Sequence, residues 1–145
     1  MYEAESSLEQ ALCKEVVFTG DSASMIAARD SIMDFVHLHD VGEQVEIDIL
    51  VALQEALANA VSHGCRNDPG KTVRCTVTID SSAITIVIRD PGPGFDTAAA
   101  GDSAEDGTNL TQHGRGIFLM RSLMDEVHYR RGGSEVELKK TRRAA

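Results

Sequence analysis

Two runs of largely β-branched residues, Val73-Arg74-Cys75-Thr76-Val77-Thr78-Ile79 and Ala83-Ile84-Thr85-Ile86-Val87-Ile88-Arg89, stand three residues apart across Asp80-Ser81-Ser82. Such side chains suit a pleated surface, and so short a connection turns the chain back on itself, so the pair reads as two antiparallel strands. The second run passes directly into Asp90-Pro91-Gly92-Pro93-Gly94-Phe95-Asp96. An acidic side chain and two glycines therefore sit at the end of a buried strand. Gly92 and Gly94 let backbone approach a flat ring or a phosphate where a Cβ would collide, and the prolines stiffen the turn. The same residues also serve as plain hairpin punctuation, and taken alone they leave both readings open.

The 145 residues fit a single domain spanning 1–145, long enough to bury a core of one sheet and a few helices. With 4% aromatic residues and no tryptophan that core must be aliphatic. A net charge of -9 argues against a non-specific nucleic-acid binder, so no direct nucleic-acid partner is expected. Cys13, Cys65 and Cys75 are odd in number and lack metal-ligand spacing, which points to reduced thiols. No stretch has signal-peptide or membrane-spanning character, so a soluble cytoplasmic protein without a membrane partner is expected. The basic tail Lys139-Lys140-Thr141-Arg142-Arg143 reads as a solvated terminus.

A first strand is expected over residues 15–19, followed by a helix capped by Asp21 or Ser22 and running to about His39, with Met25, Ala28, Ile32, Phe35 and Val36 inward. After Gly42, the three-four spacing of Ile47, Leu50, Leu53, Leu57, Ala60 and Val61 predicts a second amphipathic helix ending near Gly64. Residues 97–112 are small, polar and acidic, a loop long enough to be a lid or binding segment. Gly114-Arg115-Gly116 then opens a third helix with Ile117, Met120, Leu123 and Met124 inward. Residues 127–130 and 136–138 close the chain as strands around Gly132-Gly133.

On the second helix Glu55, Asn59 and His63 stand four residues apart, each step turning about 40° around the axis, so they share one stripe away from the aliphatic face. The stripe could be a solvated polar face or could line a cleft. In the second case, Mg²⁺ accepts few protein groups and takes water and phosphate oxygens for the rest, so the Asn59 amide oxygen suffices as its protein ligand. Glu55 could take a proton from a hydroxyl or orient a water, and His63 serves the cleft or the helix end. An ionised Asp90 only accepts hydrogen bonds and suits the amino group of adenine. Gly114-Arg115-Gly116, where a loop becomes a helix, offers free N–H groups and a cation to phosphate.

Taken in order, Glu55-Ala56-Leu57-Ala58-Asn59-Ala60-Val61-Ser62-His63-Gly64, Asp90-Pro91-Gly92-Pro93-Gly94-Phe95-Asp96 and His113-Gly114-Arg115-Gly116-Ile117-Phe118-Leu119-Met120 resemble the three ATP-site boxes of the Bergerat-fold ATPases. With Leu123-Met124-Asp125-Glu126-Val127 after the glycine box, the chain resembles the bacterial anti-sigma factor serine kinases from about Val16 to Lys140. The resemblance implies an α/β two-layer sandwich: a mixed, mostly antiparallel sheet covered on one face by helices, with ATP between the helices and a lid. It implies Glu55 as general base, Asn59 as Mg²⁺ ligand, Asp90 as partner of the adenine amino group, and Gly92 and Gly94 as the adenine-side turn. Gly114, Arg115, Gly116 and the backbone of Ile117 and Phe118 would face the phosphates, although several relatives carry a hydrophobic residue at the place of Arg115. Gly133-Ser134 matches a late Gly-Thr pair near adenine, with serine in place of threonine.

For biology, the resemblance implies a partner switch. Such proteins bind a sigma factor, phosphorylate a serine of a small STAS-domain anti-anti-sigma antagonist, and usually form homodimers. An ATP-gated binding module without kinase activity is the alternative. A detached histidine-kinase ATP domain fits less well, because a strand and a helix precede the asparagine box.

Overall fold

The computed structural model describes residues 11–95 and 112–142. Within them the chain forms β1 (Leu12–Thr19), α1 (Ser22–Leu38), α2 (Glu43–Asn59), β2 (Thr72–Ile79), β3 (Ala83–Arg89), α3 (Gln112–Leu123), β4 (Glu126–Arg130) and β5 (Glu135–Thr141). Asp96, Arg143 and the expected lid other than Gln112 lie outside the described residues.

The strands form one sheet in the order β1-β2-β3-β5-β4. The mixed sheet is not found: all four pairings among the described residues are antiparallel. The connections explain this. Short turns join β2 to β3 and β4 to β5, and the passage from β1 through α1 and α2 to β2 reverses the chain an odd number of times, so β2 returns against β1. Period-two alternation then divides the sheet. Val73, Cys75, Val77 and Ile79 of β2, Ile84, Ile86 and Ile88 of β3, and Val136 and Leu138 of β5 are buried in one core with Ile32 and Val36 of α1, Ile49, Leu53 and Leu57 of α2, and Ile117 and Met120 of α3. The largest fully buried side chains are all Ile, Leu, Val or Met, the aliphatic core that the composition requires. The opposite sheet face carries exposed cross-strand ion pairs such as Glu15–Arg74 and Glu126–Lys139, which keep it hydrated and add little stability.

Asp21 is the N-cap of α1, its carboxylate accepting from the Ser24 N–H at 3.0 Å and from the Thr19 hydroxyl. The Thr19 hydrogen bond, followed by those from Ser24, holds its carboxyl below the usual range.

Two further expectations do not hold. Ile47 and Leu50 do not face the core: they are 48% and 37% exposed, while Ile49, Ala52, Leu53 and Ala56 form the inner face of α2. Nor are Lys140 and Arg142 solvated tail residues. Lys140 pairs with Asp48, and Arg142 donates to the carbonyls of Asp80 and His39.

Candidate functional site

The last turn of α2 opens into a five-residue π turn, Ala60–Gly64, in which the Cys65 N–H reaches back to the Ala60 carbonyl. Such wide turns recur at functional sites. Here the turn sets Gly64 directly under Asp90, so closely that a Cβ on Gly64 would collide with the carboxylate. Gly92 lies against the Gly64 backbone in the same manner, and its N–H donates to Asp90 Oδ1 at 2.8 Å. The Asp90 N–H is in turn held by the Ser134 carbonyl at 2.9 Å. Asp90 is therefore locked between the π turn, its own turn and Ser134 at the start of β5. Burial raises its pKa above the usual carboxylate value, against the opposing pull of the Gly92 N–H and the nearby His63.

Around Asp90 a cleft is lined by Asn59, His63 and Gly64 from α2 and the π turn, Ile88 from β3, Gly94 and Phe95 beyond it, Tyr129 from β4, and Gly133, Ser134 and Val136 near β5. It is an apolar slot with a few polar groups, the usual make-up of a pocket for a flat heterocycle. Phe95 and Tyr129 meet edge to face with ring centroids 5.1 Å apart. Burial lifts the Tyr129 phenol far above its ordinary range, so it stays neutral. The Ser134 hydroxyl donates to the Arg131 carbonyl at 3.0 Å. Gly94 and Phe95 are tied to the β4–β5 turn: the Phe95 N–H donates to the Gly132 carbonyl at 2.9 Å, and Gly94, at φ +81°, leaves no room for a Cβ beside that carbonyl. Gly94→Ala therefore combines backbone strain with a collision and is expected to destabilise the protein by about 1–3 kcal/mol. Thermal unfolding measures this, and an unchanged midpoint would show that the turn rearranges freely.

At the other end of the Asn59 side chain lies a second group of residues. Gly116 of α3 packs against Glu55 and Asn59, and a Cβ there would stand 2.9 Å from Glu55 Oε2 and 3.6 Å from Asn59 Nδ2. Asn59 Nδ2 is buried without a hydrogen-bond partner among the described residues. A buried polar atom left unpaired is costly, and a half-turn of the amide exchanges its nitrogen for an oxygen that suits a hard cation. The residues present thus fit a divalent ion held through one amide, with Glu55 one turn away.

The α3 helix begins at Gln112, earlier than expected, which alters what the glycine box can offer. Free N–H groups belong to the first turn, which contains Gly114; those of Gly116, Ile117 and Phe118 lie deeper, where an α-helix closes them onto carbonyls four residues back. The Ile117 side chain is in the core, Phe118 is half-buried and Arg115 is exposed. The structure thus brings Asn59, His63, Asp90, Gly94 and Ser134 to one cleft, with Gly92 beneath it and Glu55 and Gly116 beside it. The sequence motifs missed Ile88, Tyr129 and Val136 as lining residues. Only Phe95 had a local signal, since it lies within the Asp90 segment.

Residues 18–140 match the family model of the histidine kinase-like ATPase domain. The chain is 31% identical over 113 residues to the anti-sigma F factor of Anoxybacillus flavithermus, with 77% of each protein covered. It is 30% identical over 130 residues to the anti-sigma F factor of Clostridium beijerinckii, covering 86% of this chain and 91% of that one. Among solved structures, the RsbU and RsbW domains of Rv1364c from Mycobacterium tuberculosis share the fold, with a TM-score of 0.58 at 15% identity over 91% of this chain. This chain corresponds to 32% of that longer protein.

Proposed function

The chain belongs to the histidine kinase-like ATPase domain family, within the group of the anti-sigma F factors, and on that premise we propose that it is a Mg²⁺-dependent protein serine kinase. It takes ATP as phosphate donor, phosphorylates a serine of a STAS-domain anti-anti-sigma antagonist and sequesters a sigma factor, acting as a cytoplasmic homodimer. The observation that carries this reading is the buried amide nitrogen of Asn59, unpaired among the described residues, one turn from the Glu55 carboxylate, beside the start of α3 and continuous with the Asp90 cleft. A site that only gripped a nucleotide base would need Asp90 and the slot around it; it would not need this second group.

The roles follow from position. Asp90 accepts from the adenine amino group through the oxygen not engaged by Gly92, and the apolar slot with Ile88, Val136 and the Phe95–Tyr129 pair encloses the ring. Asn59 holds the divalent ion, which when bound neutralises phosphate charge. The free N–H groups of the first turn of α3 face the phosphates. Glu55 takes the proton of the attacking seryl hydroxyl as its oxygen bonds to the γ-phosphorus and the bond to ADP breaks. No helix among the described residues is long and apolar enough to cross a membrane.

The test is incubation with γ-labelled ATP, Mg²⁺ and the STAS-domain protein encoded nearest to it. Label on a serine of that protein is the expected result. ATP binding and partner retention without label would favour the ATP-gated binding module.

A further inference from the structure

Lys140 lies near the end of β5, on the side of the molecule away from Asp90, yet it is not free in solvent. Its ammonium pairs with Asp48 Oδ2 of α2 at 3.0 Å and donates to the Leu123 carbonyl, in the last turn of α3, at 2.5 Å. The Lys140 and Asp48 side chains are only 16% and 14% exposed. A lysine with two fixed acceptors and little water differs from the open-face pairs of the sheet, because breaking it leaves a half-buried charge without its partner. The cation also sits at the negative end of the α3 dipole.

The geometry points to Lys140 as a positioning residue that sets the register of α3 against α2. The two helices touch at the cleft through Gly116 and Glu55. They are tied again, through Lys140, at Leu123 and Asp48. On α2 the tie points are 48 and 55, on α3 they are 123 and 116, and the order is reversed because the helices run antiparallel. Seven residues separate them on each helix, a rise of about 10 Å on both. Two ties at equal spacing hold α3 against sliding along α2 and against pivoting about Gly116. The element so held carries the first-turn N–H groups assigned to the phosphates, whereas no described residue of α3 lines the adenine pocket. Lys140 therefore acts on the phosphate end and leaves the adenine end untouched. This inference rests on the ATP reading of the cleft.

Calorimetric titration of ATP and of adenosine into the full chain and into K140M, D48N and the double variant tests it. Without the clamp, ATP affinity is expected to fall about tenfold, since small misplacements of binding groups far from the ligand propagate to it. Adenosine affinity should stay within about twofold, because a bare nucleoside makes no use of the phosphate end. The double variant should lose no more than K140M alone, as expected of two residues in one interaction. D48N, nearly isosteric, serves if K140M does not fold. Equal losses for ATP and adenosine, or an unchanged ATP affinity in a folded variant, would overturn the inference. A wild-type chain that binds neither ligand would overturn the cleft reading and this inference with it.

Discussion

Asp90→Asn is expected to weaken ATP binding by about 100-fold, because losing a hydrogen bond to a charged group costs roughly 1.5–3 kcal/mol and each ~1.4 kcal/mol is a factor of ten. The geometry explains why so small a change matters. One carboxylate oxygen already accepts from the Gly92 N–H, and the other is the acceptor left for adenine. Asparagine has a single acceptor, so whichever way its amide turns, an NH₂ meets either the Gly92 N–H or the adenine amino group, donor against donor. Calorimetry on the variant measures the loss, and an affinity equal to wild type would remove Asp90 from adenine recognition.

The same residue gives the binding a pH dependence of definite sign. Burial raises the Asp90 pKa above its value in the unfolded chain. The stability linked to this group is therefore fully present below the unfolded pKa and is lost as pH rises through the folded one. Binding runs the other way, because a protonated carboxyl places a donor toward the adenine amino group. ATP affinity is expected to decline on acidification from a pH above the ordinary carboxylate range, and the inflection should be missing in D90N. The empty D90N protein should also be no less stable than wild type at neutral pH, since it no longer buries a charge. A wild-type inflection retained in D90N would assign the titration to another group.

What the sequence revealed of this site, and what it hid, depended on how local the interactions are. The hairpin of β2 and β3, the Asp21 cap and the carboxylate–amide pair on α2 are each written within a few consecutive residues, and each is found where its spacing placed it. The inner face of α2 was misread because two three-four series run along that helix. Ile47 and Leu50 look more hydrophobic than Ala52 and Ala56, but it is the small alanines that let the helix lie close to the sheet. The Ile88–Tyr129–Val136 wall comes from three strands whose adjacency exists only after β5 inserts between β3 and β4. The partners of Lys140 lie 92 and 17 residues away, so its sequence neighbourhood shows only a basic tail. The Gly64–Asp90 contact was half visible: both residues stand in recognisable motifs, but only the π turn brings them together.

Glu55→Gln should separate binding from chemistry. Glu55 does not line the adenine slot, and its neighbour is the bare backbone of Gly116, so an amide of the same shape fits without repacking. ATP affinity should therefore stay within about twofold, as for a change that removes an interaction made only in the transition state. Phosphotransfer should fall by about 10²–10⁴-fold, the usual contribution of a positioned general base, with the residual rate supplied by positioning and charge neutralisation around the transferring group. Single-turnover transfer of labelled phosphate to the STAS-domain partner, measured beside calorimetric ATP affinity, distinguishes the outcomes. Transfer at the wild-type rate would remove Glu55 from the base role. A collapse of ATP affinity would instead make the carboxylate a support for α3, since Gly116 rests against it, and the proton would then have to leave by another route.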